Sequence, residues 1–317
     1  NKKTKEKMKH PWKATLVILA LFLLTQLIGL AVVKTYTTGW QIEKTIEVNG
    51  VPTQVTQNIT KEIPYGFAPP EVQPQVSLIT IIIAIIIATF VILLLGRIKA
   101  NFIIKLWFTF VVLVTIAVAL SAIPFVNAWL AMIVAAFLTY YKIFRRDIIV
   151  HNITELLIYP GLAAIFVPIL NIGVTMLLLI FLSVYDFWAV FKSKHMVELA
   201  KYQMQELKVF TGFFLPYFRK GDWKKMRKLR ALQKTKVKGK KSQIKTLAKK
   251  IKVNVAILGG GDVAFPLIFA GVILKTYNSF LFGAIIAIFA TFALLSLIHI
   301  SEPTRPLYIS YAVFCLK

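Results

Sequence analysis

Cysteine is almost absent from this chain, which has one, Cys315, among 317 residues. A single cysteine excludes an internal disulfide and every metal site built from paired cysteines. None of the four histidines begins an H-E-x-x-H motif, and no serine has the G-x-S spacing of a hydrolase nucleophile. The sequence therefore supports neither a zinc protease nor a serine protease, and we expect no metal site of these kinds.

Acidic residues are also scarce, with 13 Asp and Glu against 38 Lys and Arg, and the formal net charge is +25. Hydrophobic residues make up 58% of the chain, more than a soluble domain of this size can cover with polar surface. Long uncharged runs alternate with short basic ones, which is typical of membrane spans and their loops. Because cytoplasmic loops that meet anionic headgroups explain the basic charge, we expect no nucleic-acid binding.

Eight apolar stretches are long enough to cross the hydrocarbon core of a bilayer, which takes about 20 helical residues. They lie at 14–33, 77–95, 102–122, 125–144, 153–170, 171–191, 253–274 and 279–298. The predicted fold class is therefore all-α, a polytopic membrane helix bundle with eight visible spans. Spans joined by very short links, such as 153–170 and 171–191, are expected to form antiparallel hairpins.

Basic residues predict the orientation of the spans. The N-terminal segment carries six lysines between Lys2 and Lys13, which places it in the cytoplasm. The loop 34–76 has four glutamates against three lysines and is expected outside, whereas the loop 192–252 holds 20 of the 38 basic residues and is expected inside. The chain then divides into an N-terminal bundle at 1–191, the basic loop at 192–252, two spans at 253–298 and an atypical tail at 299–317.

The two long loops carry local signals of their own. Residues 42–56 have strand-type content around Asn49-Gly50, which favours a two-residue hairpin turn, although an ordinary solvated loop fits the same residues. In the basic loop, the apolar and aromatic segment 209–218 is expected to lie in the membrane interface. Residues 219–252 are expected to form a tether held near anionic lipid.

Only two acidic residues lie well within the predicted spans, Asp186 and Asp262, whereas Glu155 is expected at a span end within reach of water. A carboxylate at membrane depth costs about 2.5–3.5 kcal/mol on insertion scales, so it seldom persists without a role. Helical rise places Asp186 about 9 Å, and Asp262 about 15 Å, from the cytoplasmic end of its span. The two carboxylates are therefore expected to face each other in one cavity.

Two facing carboxylates support two different functions. If they share one proton, the ionised group can act as a general base on a water while the protonated group polarises a peptide carbonyl. This is the chemistry of an aspartic protease. The same pair can instead relay protons or cations in a transporter or channel. The residues alone leave both functions open, and a non-catalytic scaffold would leave the buried carboxylates unexplained.

Neighbouring residues suit such a site. The run Gly259-Gly260-Gly261 removes side chains from one helix face before Asp262, so that backbone can approach Asp186 or a substrate, although ordinary helix packing also explains glycines. Tyr185 places a phenol beside Asp186, either as a hydrogen-bond donor or as an interfacial aromatic residue.

The motifs Tyr185-Asp186 and Gly259-Gly260-Gly261-Asp262, a G-x-G-D, resemble those of the presenilin and signal peptide peptidase family of intramembrane aspartyl proteases. The segments 184–191 and 194–196 are most similar to archaeal presenilin homologues. The resemblance covers roughly residues 14–298 and implies catalytic roles for the two aspartates, supported by Tyr185 and the three glycines. It also implies transmembrane proteins as substrates, an archaeal cell membrane as the location, and no cofactor beyond a catalytic water.

The resemblance further implies a nine-span fold with a Pro-Ala-Leu motif at the start of the ninth span. In this chain that span is missing or replaced, because 308–317 is too short to cross a bilayer. Residues 297–306 are similar to translated sequencing-adapter sequence joined to a truncated reading frame. We therefore expect the tail at 299–317 to be artefactual, and the polypeptide as written can then be inactive. The residues indicate no particular oligomeric state.

Overall fold

The structure is a computed structural model that describes residues 12–48, 51–66, 74–98, 100–145, 147–191, 211–217 and 254–300. These residues form eight long helices: α1 Trp12–Tyr36, α2 Pro74–Arg97, α3 Asn101–Ser121, α4 Ala128–Tyr140, α5 Ile148–Phe166, α6 Ile172–Phe191, α7 Gly260–Tyr277 and α8 Phe280–Ile300. A π-helical turn, Tyr141–Arg145, extends α4, and a 3-10 turn, Val167–Ile169, follows α5. The predicted tether at 219–252 and the tail from residue 301 lie outside the described residues.

Most of these helices are long and apolar enough to cross a membrane. In the described part of the chain seven stretches qualify: Trp12–Tyr36, Ile79–Arg97, Asn101–Ser121, Ala128–Arg145, Ile148–Ile169, Gly260–Tyr277 and Phe280–Leu297. Helix α6 adds the shorter apolar stretch Ile172–Trp188. The prediction of an all-α polytopic membrane bundle is confirmed, and the number of spans stays a prediction.

The centre of the bundle is formed by α1, α5 and α7, which all pack against one another. Small residues bring these helices close together, as in other membrane bundles. A side chain at Gly29 on α1 would collide with Leu267 on α7, and one at Gly161 on α5 would collide with the backbone of Thr115 on α3. Close approach at these glycines therefore sets the spacing between α1 and α7 and between α5 and α3.

Two strands at one end of the bundle form a hairpin. Strand β1, Trp40–Val48, pairs with β2, Val51–Ile59, and Val48 lies opposite Val51. Of the two interpretations that the sequence left open for this loop, the strand pairing agrees with the hairpin, and residues 49–50 themselves lie outside the described residues. The chain that follows β2 is tied to the link between α3 and α4, because Lys61 donates hydrogen bonds to the carbonyls of Ser121 and Val126.

A second sheet lies at the opposite end of the bundle. Strand β3, Gly212–Tyr217, pairs antiparallel with β4, Asn254–Gly259. Phe213 on β3 is fully buried, and its ring lies 5.9 Å from that of Tyr159 on α5. We expected 209–218 to lie along the membrane interface, but residues 212–217 form a strand that packs against the bundle. We call the end of the bundle that carries β3 and β4 the sheet end.

The predicted span 253–274 is wrong at its beginning, because residues 254–259 are a strand and the helix starts at Gly260. A helix that ran on from residue 253 would hold Gly259, Gly260 and Gly261 in its interior, at a cost of about 1 kcal/mol each relative to alanine. Residues 254–259 form a strand instead, because the backbone of β3 supplies hydrogen bonds to them. The estimated depth of Asp262, which assumed helix throughout, is wrong for the same reason.

Candidate active site at the sheet end

Asp262 lies in the first turn of α7, directly after the strand-to-helix junction. Gly259 is the N-cap residue, with φ −63° and ψ 148°, so Asp262 occupies the third helical position. Its carboxylate accepts a hydrogen bond from the backbone amide of Gly259. This is one half of a capping box, which satisfies an amide that the helix leaves free. Strand β4 and the cap together determine where the carboxylate of Asp262 lies.

Asp186 lies near the other end of its helix, five residues before α6 ends at Phe191. Helix α6 packs against α7. Since the two helices run in opposite directions through the bundle, the end of α6 and the beginning of α7 both lie at the sheet end. The structure thus brings the two sequence-predicted aspartates to neighbouring helices at one end of the bundle, each with an exposed side chain.

The three glycines form the strand-to-helix junction: Gly259 ends β4 and caps the helix, and Gly260 and Gly261 are the first two residues of α7. A Cβ atom at Gly260 would stand 3.0 Å from the hydroxyl of Tyr159, and one at Gly261 would stand 3.3 Å from the ring of Phe265. A Cβ at Gly259 would stand 3.1 Å from the carboxylate of Asp262 itself. The junction is therefore packed so closely that side chains at these positions would displace their neighbours.

Tyr185 is half-buried on α6, and its ring stacks on that of Phe181 with 6.4 Å between the ring centroids. It is the residue next to Asp186 in the chain. A role as a hydrogen-bond donor to the aspartates stays a prediction.

A buried polar cluster beside this site was not predicted. Lys142 Nζ lies 2.5 Å from Glu155 Oε1, with side chains 2% and 0% exposed, and it also contacts His151 and Thr154. The expectation that Glu155 reaches water is wrong. The π-helical turn after α4 carries Lys142 back over α5, so that the two charges neutralise each other inside the protein. An antiparallel α4–α5 hairpin with a lysine near its turn was the signal that could have revealed this pair.

Two further α5 residues contact the sheet. His151 Nε2 lies 2.8 Å from the carbonyl oxygen of Gly212, and Asn152 exchanges two hydrogen bonds with the backbone of Phe214. His151 is not among the site residues predicted from the sequence. Among the described residues no group of three or more His, Cys, Asp or Glu side chains could hold a metal ion.

Comparison with protein families agrees with this geometry. Residues 56–298 match the family described as signal-peptide peptidase, presenilin aspartyl protease. The matched region is more than half of the chain and includes both aspartates, the glycine run, the α5 residues and both strands at the sheet end. Searches of the curated proteins and of the solved structures found no match.

Proposed function

This chain belongs to the signal-peptide peptidase and presenilin family of aspartyl proteases, and from that premise we propose that it hydrolyses peptide bonds within transmembrane segments of other proteins. The observation that supports the proposal most is that Asp186, near the end of α6, and Asp262, in the first turn of α7, lie on two packed antiparallel helices at the same end of the bundle. No other described pair of acidic residues within the apolar helices has this arrangement. We assign the catalytic roles to these two aspartates.

The proposed reaction uses one proton shared between the two carboxyl groups. The ionised carboxylate takes a proton from a water, whose oxygen attacks the carbonyl carbon of the scissile bond. The protonated carboxyl group donates a hydrogen bond to the carbonyl oxygen and stabilises the charge that develops there. A proton then passes to the leaving nitrogen as the C–N bond breaks, which yields a carboxylic acid and an amine. The reaction requires no cofactor.

Backbone geometry at β4 supports binding of an extended substrate. Both backbone groups of Phe214 bind Asn152, so the alternation of an antiparallel ladder turns the backbone groups of its partner Ile257 away from β3. Val255 has the same orientation, two residues earlier. This edge of β4 continues into the cap of Asp262. A peptide that adds to the edge as a strand would place its backbone beside the two aspartates.

Location follows from the same proposal. The chain is a multi-pass integral membrane protein. We propose that its N-terminus is cytoplasmic, on account of the lysines between Lys2 and Lys13, and that the sheet end therefore faces the cytoplasm. The basic residues of 192–252, all of which lie outside the described residues, would then meet anionic headgroups. The likeness to archaeal homologues suggests an archaeal cell membrane.

The test is cleavage of a transmembrane peptide by the full-length gene product that carries this sequence, reconstituted in proteoliposomes. We expect Asp186→Asn and Asp262→Asn each to lower kcat/KM by about 10³-fold or more, because each removes a group that acts on the reacting atoms. Asp147→Asn is the matched control. Asp147 caps α5 by accepting a hydrogen bond from Ile149 at 2.8 Å, and asparagine caps equally well, so activity should not change.

Two outcomes would contradict the proposal. Cleavage that persists in either aspartate variant would remove the two-carboxylate mechanism. Proton or cation flux without any cleavage would favour the alternative function, a transporter or channel that uses the same aspartates.

A further inference from the structure

The outer edge of β3, the edge that does not pair with β4, is occupied by side chains of α5. Asn152 Nδ2 donates a hydrogen bond of 3.0 Å to the carbonyl of Phe214, and Asn152 Oδ1 accepts one of 3.0 Å from the amide of Phe214. One side chain thus satisfies both backbone groups of a strand residue, as a neighbouring strand would. His151 Nε2 adds a contact of 2.8 Å with the carbonyl oxygen of Gly212, on the same edge.

Contacts on the other side of His151 identify the ring nitrogen that donates. Lys142 Nζ lies 3.3 Å from His151 Nδ1, and a lysine ammonium group can only donate. Nδ1 is therefore the acceptor, and Nε2 carries the proton that is donated to Gly212. Lys142 is itself fixed by Glu155 at 2.5 Å. The orientation of His151 thus depends on a buried ion pair. This ion pair holds the His151 ring in the orientation that binds β3.

Because β3 pairs with β4 in a fixed register, the contacts of α5 with β3 also fix the end of β4 that precedes Asp262. Gly212 lies opposite Gly259, and Phe214 lies opposite Ile257. The two β3 residues that bind α5 therefore pair with the end of β4, just before α7 begins. Gly259 is the residue whose amide holds the carboxylate of Asp262. A shift of β3 against α5 would therefore move the cap of α7 and the carboxylate with it.

We propose that Asn152, together with His151, is a positioning residue for Asp262, which clamps β3 to α5 and so fixes the strand-to-helix junction that carries the aspartate. The clamp has a second consequence. It closes the outer edge of β3, where Pro216 also has no amide proton to offer, so of the two described edges of this sheet the one at which extended backbone can add is that of β4, beside Asp262. The proposal rests on the proposed function, because positioning has meaning only if the aspartate acts on a substrate.

The test combines a structural and a kinetic measurement on the full-length gene product in proteoliposomes. Asn152→Ala removes both hydrogen bonds to Phe214, and Asn152→Asp keeps an oxygen that accepts from the Phe214 amide. Asn127→Ala is the matched control. Asn127 also accepts a backbone hydrogen bond, of 2.7 Å from Leu130, but it does so at the start of α4, in the link that Lys61 holds at the opposite end of the bundle.

Hydrogen exchange tests the clamp without reference to catalysis. We expect Asn152→Ala to accelerate exchange of peptides that contain 212–217 and 254–261 by at least tenfold, with no change in peptides from α3 or α8. Asn127→Ala should leave both strands unchanged. Unaltered exchange at the strands in Asn152→Ala would overturn the clamp, and this outcome does not depend on whether the protein cleaves anything.

Cleavage kinetics test the positioning role. We expect Asn152→Ala to lower kcat about tenfold and to change KM less than twofold, and Asn152→Asp to recover part of the loss. The melting temperature should fall no more than in Asn127→Ala. Accelerated exchange with unchanged kcat would refute positioning while leaving the proposed function intact. If the unmodified protein cleaves no transmembrane peptide, the proposed function fails, and the positioning role fails with it.

Discussion

Gln26 on α1 donates a hydrogen bond of 3.0 Å from its side-chain amide to the backbone carbonyl of Val263, the residue after Asp262. Gln26 is fully buried, and its Oε1 has no hydrogen-bond partner among the described residues. Pro266 cannot donate to the carbonyl of Asp262 four residues earlier, so the first turn of α7 lacks one helical hydrogen bond, and Gln26 adds a tertiary one at the next carbonyl. The central helix α1 is thereby connected to the turn that carries a proposed catalytic residue.

We expect Gln26→Leu to change the free energy of unfolding by less than about 1 kcal/mol. It loses one hydrogen bond but also removes an unpaired buried oxygen, and these effects oppose each other. Gln26→Ala should cost about 2 kcal/mol or more, because it leaves a cavity between α1 and α7. Unfolding in mixed detergent micelles measures both changes. Equal destabilisation by the two variants would show that the hydrogen bond, and not the packing, holds the helices together.

Gly260 and Tyr159 provide a test of the close packing at the junction. A methyl group at Gly260 would stand 3.0 Å from the hydroxyl of Tyr159, whose side chain is 4% exposed and cannot easily move. We expect Gly260→Ala to cost about 1–3 kcal/mol of stability and to lower peptide cleavage.

The double variant Gly260→Ala/Tyr159→Phe removes the obstructing hydroxyl and should recover most of the lost activity. Gly173→Ala is the matched control, since its new methyl group would meet nothing nearer than the side chain of Asn171 at 3.8 Å. It should be neutral or slightly stabilising, because alanine favours helix over glycine. Failure of Tyr159→Phe to rescue would place the strain elsewhere in the junction.

The buried pair of Lys142 and Glu155 should respond very differently to single and double substitution. Lys142→Met leaves the carboxylate of Glu155 inside the protein without its counter-ion, at a cost of about 3–5 kcal/mol. Replacing both residues, as in Lys142→Met/Glu155→Leu, removes both charges and should be nearly neutral. Unfolding free energies of the two single variants and the double variant form a cycle that isolates the interaction. Additive losses would show that the charges do not depend on each other.

Most of the helices could be predicted because each is a long apolar run between polar links. Helix α3, for example, was expected at 102–122 and lies at Asn101–Ser121. Strands β3 and β4 could not be predicted in the same way. A six-residue apolar strand has the same hydropathy as the beginning of a helix, and its partner lies some 40 residues away along the chain. The pairing of Gly212 with Gly259 is a long-range tertiary contact, so no local sequence pattern predicts it.

The residues of the candidate site also fall into those that local sequence predicts and those that depend on tertiary packing. Asp186 and Asp262 could be identified because acidic residues are rare in apolar spans. Glu155 was misjudged because its position near the start of a span fits a solvated carboxylate equally well. Its burial depends on the π-helical turn that brings Lys142 over α5, and on the strand that covers His151 and Asn152. Both are long-range features of the packing.

The pH dependence of cleavage should be bell-shaped, because the proposed reaction requires one proton on the pair formed by Asp186 and Asp262. At low pH both carboxyl groups are protonated, so no base remains to activate the water. At high pH both are ionised, so no acid remains to polarise the substrate carbonyl, and two like charges meet across α6 and α7. The measurement is kcat/KM across a pH series in proteoliposomes, with the melting temperature followed in parallel to separate loss of activity from unfolding. The two limbs belong to the pair rather than to either residue, and a profile with only one limb in the folded protein would mean that a single carboxylate carries the reaction.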